Sequence, residues 1–351
     1  MEEDERYMRQ AIELAYKGLG DTYPNPAVGC VIVAGGEIIG RGYHCRAGEP
    51  HAEVNAVSDV VDKSLLKDST LYVTLEPCAH HGKTPPCADM IVECGIPRVV
   101  IGTVDPFAQV NGLGIGKLRQ AGVKVTLGVL EGPSRELNKR FFTYHERRRP
   151  YVFLKWAQTA DGYIDRSRTD RSILPLRITG SQAQKYVHDM RSREQAILVG
   201  TRTALLDNPR LDARLAERPR HPLRVILDRW GQVPADFHVL DGTLPTLVFT
   251  QEKRTDRPNL VYCPLDFSGD VIGGVLDELY RRGIQSLLVE GGAVLLNGFF
   301  TAGLWDEAYV FSAPWALGGG VDAPVLPLSA RQVESKTLGE DSLAVYKNIL
   351  V

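Results

Sequence analysis

Apolar residues recur at helical spacing over residues 4–18: Tyr7, Met8, Ala11, Ile12, Leu14 and Ala15 supply the apolar side and Gly18 closes the run, which predicts an amphipathic helix. Pro24-Asn25-Pro26 then forces extended backbone into the apolar stretch 28–33. Gly35-Gly36 turns the chain into 37–43, and the whole predicts a β-hairpin. Beyond it the period switches repeatedly between 3.6 and 2. Helices are expected over 51–61, 87–94, 115–121 and 131–146, and strands over 70–75, 98–104 and 123–129. Such alternation implies a sheet covered by helices. The basic stretch Arg147-Arg148-Arg149 ends at Pro150, which a helix interior rejects, so a boundary is expected there, between a domain of residues 1–146 and one of 147–351. A second α/β pattern follows, with strands over 151–156, 196–199, 223–227, 246–250, 286–289 and 307–311 and helices over 181–191, 271–282 and 293–300.

Composition changes this picture little. A chain of 351 residues exceeds one comfortable core, in keeping with two domains. With 44% hydrophobic residues, 24% charged and a net charge of −2, it carries no signature of nucleic-acid binding, and none is expected. No run reaches the roughly 18 apolar residues of a membrane span, and the start Met1-Glu2-Glu3-Asp4-Glu5 is the opposite of a signal peptide. No membrane association and a cytoplasmic location are therefore the expectation. The six cysteines (30, 45, 78, 87, 94 and 263) show no regular framework, which favours reduced thiols with metal at some of them.

The candidate chemistry centres on Pro50-His51-Ala52-Glu53, Glu76-Pro77-Cys78 and Pro86-Cys87. One imidazole, two thiols and one free carboxylate are the parts of a site where a single zinc ion activates water beside a proton shuttle. His51, Cys78 and Cys87 are the expected ligands. Glu53, two residues past His51, points away from the ligand direction and is the expected catalytic acid–base. A purely structural zinc site would want a fourth ligand, for which His44, Cys45, His80 or His81 are nominally placed. It would have no use for Glu53. The stretch 79–86 is turn-forming and tied to one ion at both ends, so it folds back over the site. His80, His81, Lys83 and Thr84 then become donors at a pocket mouth, or remain solvated.

In the second half, Leu287–Ala293 reads as an apolar strand entering a helix through Glu290-Gly291-Gly292. That junction suits phosphate binding by backbone N–H groups, and a plain tight turn would use the same residues. Gly112-Leu113-Gly114-Ile115-Gly116 is G-x-G-x-G with no acidic strand end at the right distance. It is read as a helix entrance, not a dinucleotide fingerprint.

The zinc motif resembles the H-x-E and P-C-x-x-C pattern of nucleobase deaminases, except that eight residues separate Cys78 from Cys87. With that long gap, Pro24–Gly29, Gly42-Tyr43-His44, His51-Ala52-Glu53 and Glu76–Cys87 resemble the deaminase motifs of the bifunctional deaminase/reductase family of riboflavin biosynthesis. Lys155–Gly162, Thr203–Arg214 and Glu290-Gly291-Gly292 resemble its reductase motifs. The resemblance implies an α/β chain with a cytidine-deaminase-like three-layer α/β/α domain followed by a dihydrofolate-reductase-like α/β domain. It implies hydrolytic deamination of 2,5-diamino-6-(5-phosphoribosylamino)pyrimidin-4-one, then NADPH reduction of the ribosyl group to ribityl phosphate. The expected cofactors are one zinc per chain and NADPH; the expected partners are that small molecule and further copies of the chain, as a dimer or tetramer.

Carried over by position, Asn25, His44, Glu49, Asn55, His80, Lys83 and Thr84 would bind the pyrimidine. Gln158, Thr203, Asp207, Gly292, Ala293, Val294, Leu295, Leu296, Asn297 and Gly298 would bind NADPH, and Arg191, Leu211, Arg214 and Glu290 the reductase substrate. Asp207 or a bound water would supply the proton in the reduction. Two stretches depart from the family wording: Asp105-Pro106-Phe107-Ala108 stands where D-P-N-P is usual, and Arg177 precedes Ile178-Thr179 where Trp is usual.

Overall fold

The computed structural model describes residues 2–79, 85–107 and 111–350, which form two compact units divided between Arg148 and Arg149. In the first unit α1 (Glu2–Ala15) precedes the hairpin β1 (Gly29–Ala34) and β2 (Glu37–Tyr43). Then come α2 (Ala52–Asp59), β3 (Ser69–Leu75), α3 (Cys87–Glu93), β4 (Arg98–Thr103), α4 (Leu113–Gln120), β5 (Lys124–Leu127), α5 (Glu131–Leu137) and α6 (Lys139–Arg147). The sheet order is β2-β1-β3-β4-β5, with β1 antiparallel to both neighbours and β3, β4 and β5 parallel.

Period-two alternation divides β1 between two cores. Val31 and Val33 pack with Tyr7, Met8, Ala11 and Ile12 of α1. Cys30 and Ile32 face the opposite layer, with Ala52 and Ala56 of α2, Ala88 and Ile91 of α3, and Ile115 and Leu118 of α4. The result is a three-layer α/β/α unit. Contact across it is close enough to require glycine: a Cβ on Gly42 would lie 2.2 Å from the Ala52 carbonyl oxygen and 2.3 Å from the Ala56 nitrogen. That approach sets the position of α2, and His51 is its N-cap.

The expected helix 131–146 is two helices. Asn138, 4% exposed, breaks the run and turns its side chain to the backbone of Ala27, accepting from Ala27 N and donating to Ala27 O at 2.8 Å each. A tertiary hydrogen bond here overrides a helical pattern.

The second unit contains β6 (Tyr151–Gln158), β7 (Tyr163–Asp165), α7 (Ser181–Arg193), β8 (Ala196–Gly200), α8 (Thr201–Asp207), β9 (Leu223–Leu227), β10 (Thr246–Thr250) and β11 (Leu260–Pro264). It continues with α9 (Val271–Arg281), β12 (Ser286–Glu290), α10 (Ala293–Ala302), β13 (Glu307–Ser312), β14 (Val321–Asp322), β15 (Ala330–Leu338) and β16 (Asp341–Asn348). Its main sheet has the order β11-β10-β9-β8-β12-β6-β13-β16-β15, parallel up to β13 and antiparallel beyond, while β7 and β14 pair separately. Side chains of β6 alternate between a layer holding α7 and one holding α9 and α10.

Arg149, read above as part of a basic stretch, is buried in this unit. It forms a two-pronged pair with Asp306 at 2.6 and 2.8 Å. The hairpin β15–β16 lies outside the strands expected from periodicity. β15 is an edge strand exposed almost throughout, so no alternation of burial is written into Ala330–Leu338, whereas β16 does alternate, with Asp341, Leu343 and Val345 buried. No helix among the described residues is long and apolar enough to cross a membrane.

Candidate functional site

In the first unit three separate elements deliver the soft donors. His51 caps α2 in extended backbone, Cys78 follows the end of β3, and Cys87 opens α3. His51 Nδ1 stands 3.6 Å from Cys78 Sγ and 3.4 Å from Cys87 Sγ. The three ligand atoms lie within 4.8 Å of one another. A tetrahedral zinc with Zn–S near 2.3 Å and Zn–N near 2.1 Å would separate sulfur from nitrogen by about 3.6 Å, so the set fits the ion. Two backbone bonds hold the thiol pair in register: Cys87 N donates to Cys78 Sγ (3.3 Å) and Ala88 N to Cys78 O (3.1 Å). The hydrogen bond from Cys87, with the neighbouring imidazole, holds the Cys78 thiol well below the ordinary range, in keeping with a thiolate ligand.

Glu53 is buried in the first turn of α2 and is outside the ligand group. Burial pushes its carboxyl up to about 7, against the opposing pull of His51. A carboxyl poised near neutrality both takes and returns a proton.

The residues around the centre form a chain of hydrogen bonds. His44 Nδ1 lies 3.1 Å from Pro50 O and its Nε2 3.1 Å from Asn25 Nδ2. The carbonyl accepts only from an Nδ1–H, so Nε2 is left to accept from Asn25. Burial lowers the pKa of the ring, against the opposing hydrogen bond to Pro50. Asn55 donates to Tyr43 O (2.8 Å) and Pro50 O (3.3 Å), so its amide nitrogen braces the backbone that carries His44 and His51. Glu49 is exposed. His80, Lys83 and Thr84, with His81, lie outside the described residues. Phe107, where the family usually has Asn, packs its ring 5.2 Å from that of His145.

Glu76, part of the Glu76-Pro77-Cys78 motif, has no role assigned from sequence. Its buried carboxylate accepts from Gly112 N (2.9 Å), Ile115 N (3.1 Å) and Asp105 N (3.4 Å), and so ties the start of α4 to the end of β3 next to Cys78. An acid directly before Pro77-Cys78 was the available signal.

In the second unit a cavity of about 960 Å³ opens at the carboxyl ends of the parallel strands, where an α/β sheet places its ligands. Thr203, Asp207, Arg191, Leu211, Arg214, Glu290, Gly292, Ala293, Val294, Leu295, Leu296 and Gly298 all line it. Gln158 and Asn297 do not: Gln158 Oε1 accepts from Trp156 Nε1 at 2.7 Å, and Asn297 Oδ1 accepts from Val325 N at 3.3 Å. Gly291 and Gly292 both have positive φ, and an added Cβ on either would meet the Thr203 side chain at 2.9 to 3.3 Å. The glycine pair therefore lets the start of α10 approach α8 across the cavity.

Nine basic side chains line the cavity (Lys155, Arg166, Arg168, Arg177, Arg191, Arg202, Arg210, Arg214 and Arg229) against three carboxylates (Asp165, Asp207 and Glu290). Such an excess fits a ligand with several phosphates. Glu290, paired in register with Lys155 on the neighbouring strand, takes a two-pronged bond from Arg191 at 2.7 and 2.8 Å. Burial alone would raise its carboxyl. Arg191 and Lys155 outweigh burial and hold it at about 2. His188, one turn before Arg191 on α7, also lines the cavity; burial and then Arg191 depress it to about 4, so its ring is neutral. The spacing to Arg191 was a sequence signal for it. Arg177 stands on the cavity wall and donates to Gln184, and the aromatic lining comes instead from Trp156 and Phe267.

Three soft donors with an unligated acid beside them, on a three-layer sheet, put the first unit in the class of zinc-dependent deaminases. The second unit is an α/β nucleotide-type fold with a strongly basic cleft. The family model of the cytidine and deoxycytidylate deaminase zinc-binding region matches residues 1–103, and that of the RibD C-terminal domain matches 150–344. The riboflavin biosynthesis protein RibD of Aquifex aeolicus is 41% identical over 98% of both chains; that of Escherichia coli is 38% identical over 90% of this chain and 89% of its own. The crystal structure of a diaminohydroxyphosphoribosylaminopyrimidine deaminase/5-amino-6-(5-phosphoribosylamino)uracil reductase from Thermotoga maritima covers 99% of both chains with a TM-score of 0.89 at 38% identity. Acinetobacter baumannii RibD covers the same share with a TM-score of 0.88 at 32% identity. The chain belongs to the RibD family.

Proposed function

We propose that residues 1–146 are the zinc-dependent pyrimidine deaminase domain and residues 147–351 the NADPH-dependent reductase domain of one riboflavin-biosynthesis enzyme. As a member of the RibD family the chain is bifunctional, a deaminase and a reductase, with zinc and NADPH as cofactors. Its substrate is a small molecule. We assign it as 2,5-diamino-6-(5-phosphoribosylamino)pyrimidin-4-one. The observation that carries the deaminase reading is the convergence of His51, Cys78 and Cys87 with Glu53 buried beside them and outside the ligand set.

His51, Cys78 and Cys87 would hold the zinc, leaving one coordination position open. A zinc ion there supplies a water whose pKa is lowered to roughly 7. Glu53 takes one proton from the attacking water and delivers it to the ring nitrogen, then takes the second proton of that oxygen and delivers it to the amino group, which leaves as ammonia while the carbonyl forms. Asn25 and His44 orient the pyrimidine. In the reductase the first turn of α10 and Thr203 meet the nucleotide phosphates. Arg214 provides a guanidinium for the ribose phosphate, while Arg191 and Glu290 brace each other at the substrate end of the cleft. The near-zero net charge supports an enzyme with no nucleic-acid partner; we place the enzyme in the cytoplasm as a homo-oligomer.

One coupled assay tests both halves. Purified chain with the diaminopyrimidine ribotide should release ammonia, and added NADPH should then be oxidised in proportion. NADPH oxidation without prior ammonia release, or ammonia release from a zinc-free protein, would refute the assignment.

A further inference from the structure

Between β7 and α7 the chain carries a buried cation that the family motifs do not account for. The Arg168 side chain is 2% exposed, and all three of its nitrogens are engaged. Nε donates to Asp165 Oδ2 at 2.7 Å. Nη2 bridges Asp165 and Asp207, and Nη1 reaches the carbonyl oxygens of Leu206 (3.2 Å) and Ile173 (3.4 Å). The Arg168 carbonyl accepts from Arg202 Nη2 at 3.0 Å. Asp165 also accepts from Arg166 N and Leu176 N, which draws the two ends of the 165–176 segment together. The segment is thus closed on itself and tied to α8. It contributes Arg166, Pro175 and Leu176 to the cavity wall.

Asp207 is the last residue of α8, where the helix's own partial negative charge disfavours a carboxylate. It lines the cavity; Arg168 occupies its Oδ1, and its Oδ2 has no protein partner among the described residues. Burial raises the Asp207 carboxyl and Arg168 opposes the rise. A carboxyl with one oxygen held by a guanidinium and the other open to the cavity offers an acceptor for a hydroxyl.

We propose that Arg168 is a positioning residue of the reductase cleft: it fixes the Asp207 carboxylate so that its second oxygen accepts a hydrogen bond from a hydroxyl of the bound nucleotide, and it ties the 165–176 segment to α8 as a wall. The inference rests on the reading of the cavity as the NADPH site. Asp207 on this account is a binding acceptor and not the proton donor of the reduction.

The test is a double-mutant cycle read as the Kd for NADPH by calorimetry on the intact zinc-loaded chain, together with KM and kcat. Arg168→Met and Asp207→Asn should each weaken NADPH binding by about tenfold, the size of one charged hydrogen bond, and the double variant should be no weaker than the weaker single. Arg168→Lys should restore part of the loss. KM for NADPH should rise while kcat holds within about twofold, since an interaction common to ground and transition states is removed. Additive losses, an unchanged Kd in Arg168→Met, or no rescue by lysine would overturn the proposal. Wild-type protein that fails to bind NADPH would overturn the cavity assignment itself, which separates the two failures. If Arg168→Met does not fold, the cycle is run with Arg168→Lys and Asp207→Asn: the lysine variant should weaken NADPH binding by less than Asp207→Asn and add nothing to it in the double variant, and additive losses would overturn the proposal.

Discussion

Asn138 holds Ala27 by both backbone groups, at 2.8 Å each, across 111 residues of sequence. The bond pair fixes the Pro24–Gly29 segment from which Asn25 meets His44, so a residue between two helices sets the geometry of the Asn25–His44 pair. Replacing Asn138 with alanine strands a buried donor and a buried acceptor, at about 1–3 kcal/mol each. Asn138→Ala should lower the urea midpoint of the first unit's unfolding and raise the deaminase KM. An unchanged midpoint would mean that water replaces both bonds.

Gly42 meets α2 at its backbone, which makes the glycine a determinant of where His51 stands. Gly42→Ala should push the helix off the sheet, at a cost of about 1–3 kcal/mol for overpacking. Zinc retained after dialysis against a weak chelator should fall below that of the wild type. Retention at the wild-type level would show that α2 shifts without moving the ligand.

Glu53→Gln removes the proposed proton shuttle and keeps the proposed ligands. Ammonia release should drop by about 10²–10⁴-fold, the range for general acid–base groups, with zinc content unchanged. Stripping zinc should stop ammonia release altogether. NADPH oxidation on supplied 5-amino-6-(5-phosphoribosylamino)uracil should continue, because the donor group His51, Cys78 and Cys87 lies in the first unit. Comparable loss of both activities on stripping would contradict the separate-unit assignment.

Glu290 ties stability to pH. Its carboxyl is held at about 2 in the folded chain against an ordinary 4.5, so the contribution is full above about pH 4.5 and is lost as the pH falls toward 2. A shift of that size corresponds to at most ~3 kcal/mol. Chemical unfolding between pH 5 and 2 should show this loss, and Glu290→Gln should flatten the slope there. Arg191→Met leaves the acid buried without its main partner and should destabilise the unit by about 3–5 kcal/mol near neutral pH.

The zinc chemistry and the layered α/β pattern were legible in the chain because both are local. His51 and Glu53 sit two residues apart, Cys78 and Cys87 each follow a proline, and the strands and helices announce themselves by period 2 or 3.6. What is missing from such a reading concerns partners far apart. Periodicity says which side of an element is apolar, not which strand lies beside which, and β12 falls between β8 and β6 only in the assembled sheet. That order sets Glu290 against Lys155, 135 residues away, and makes the acid a buried anchor. The break at Asn138, the edge strand β15 and the Arg168–Asp207 pair have the same origin. A hydrogen-bonding side chain does not encode its partner; packing brings the two together, and burial then gives the bond its strength.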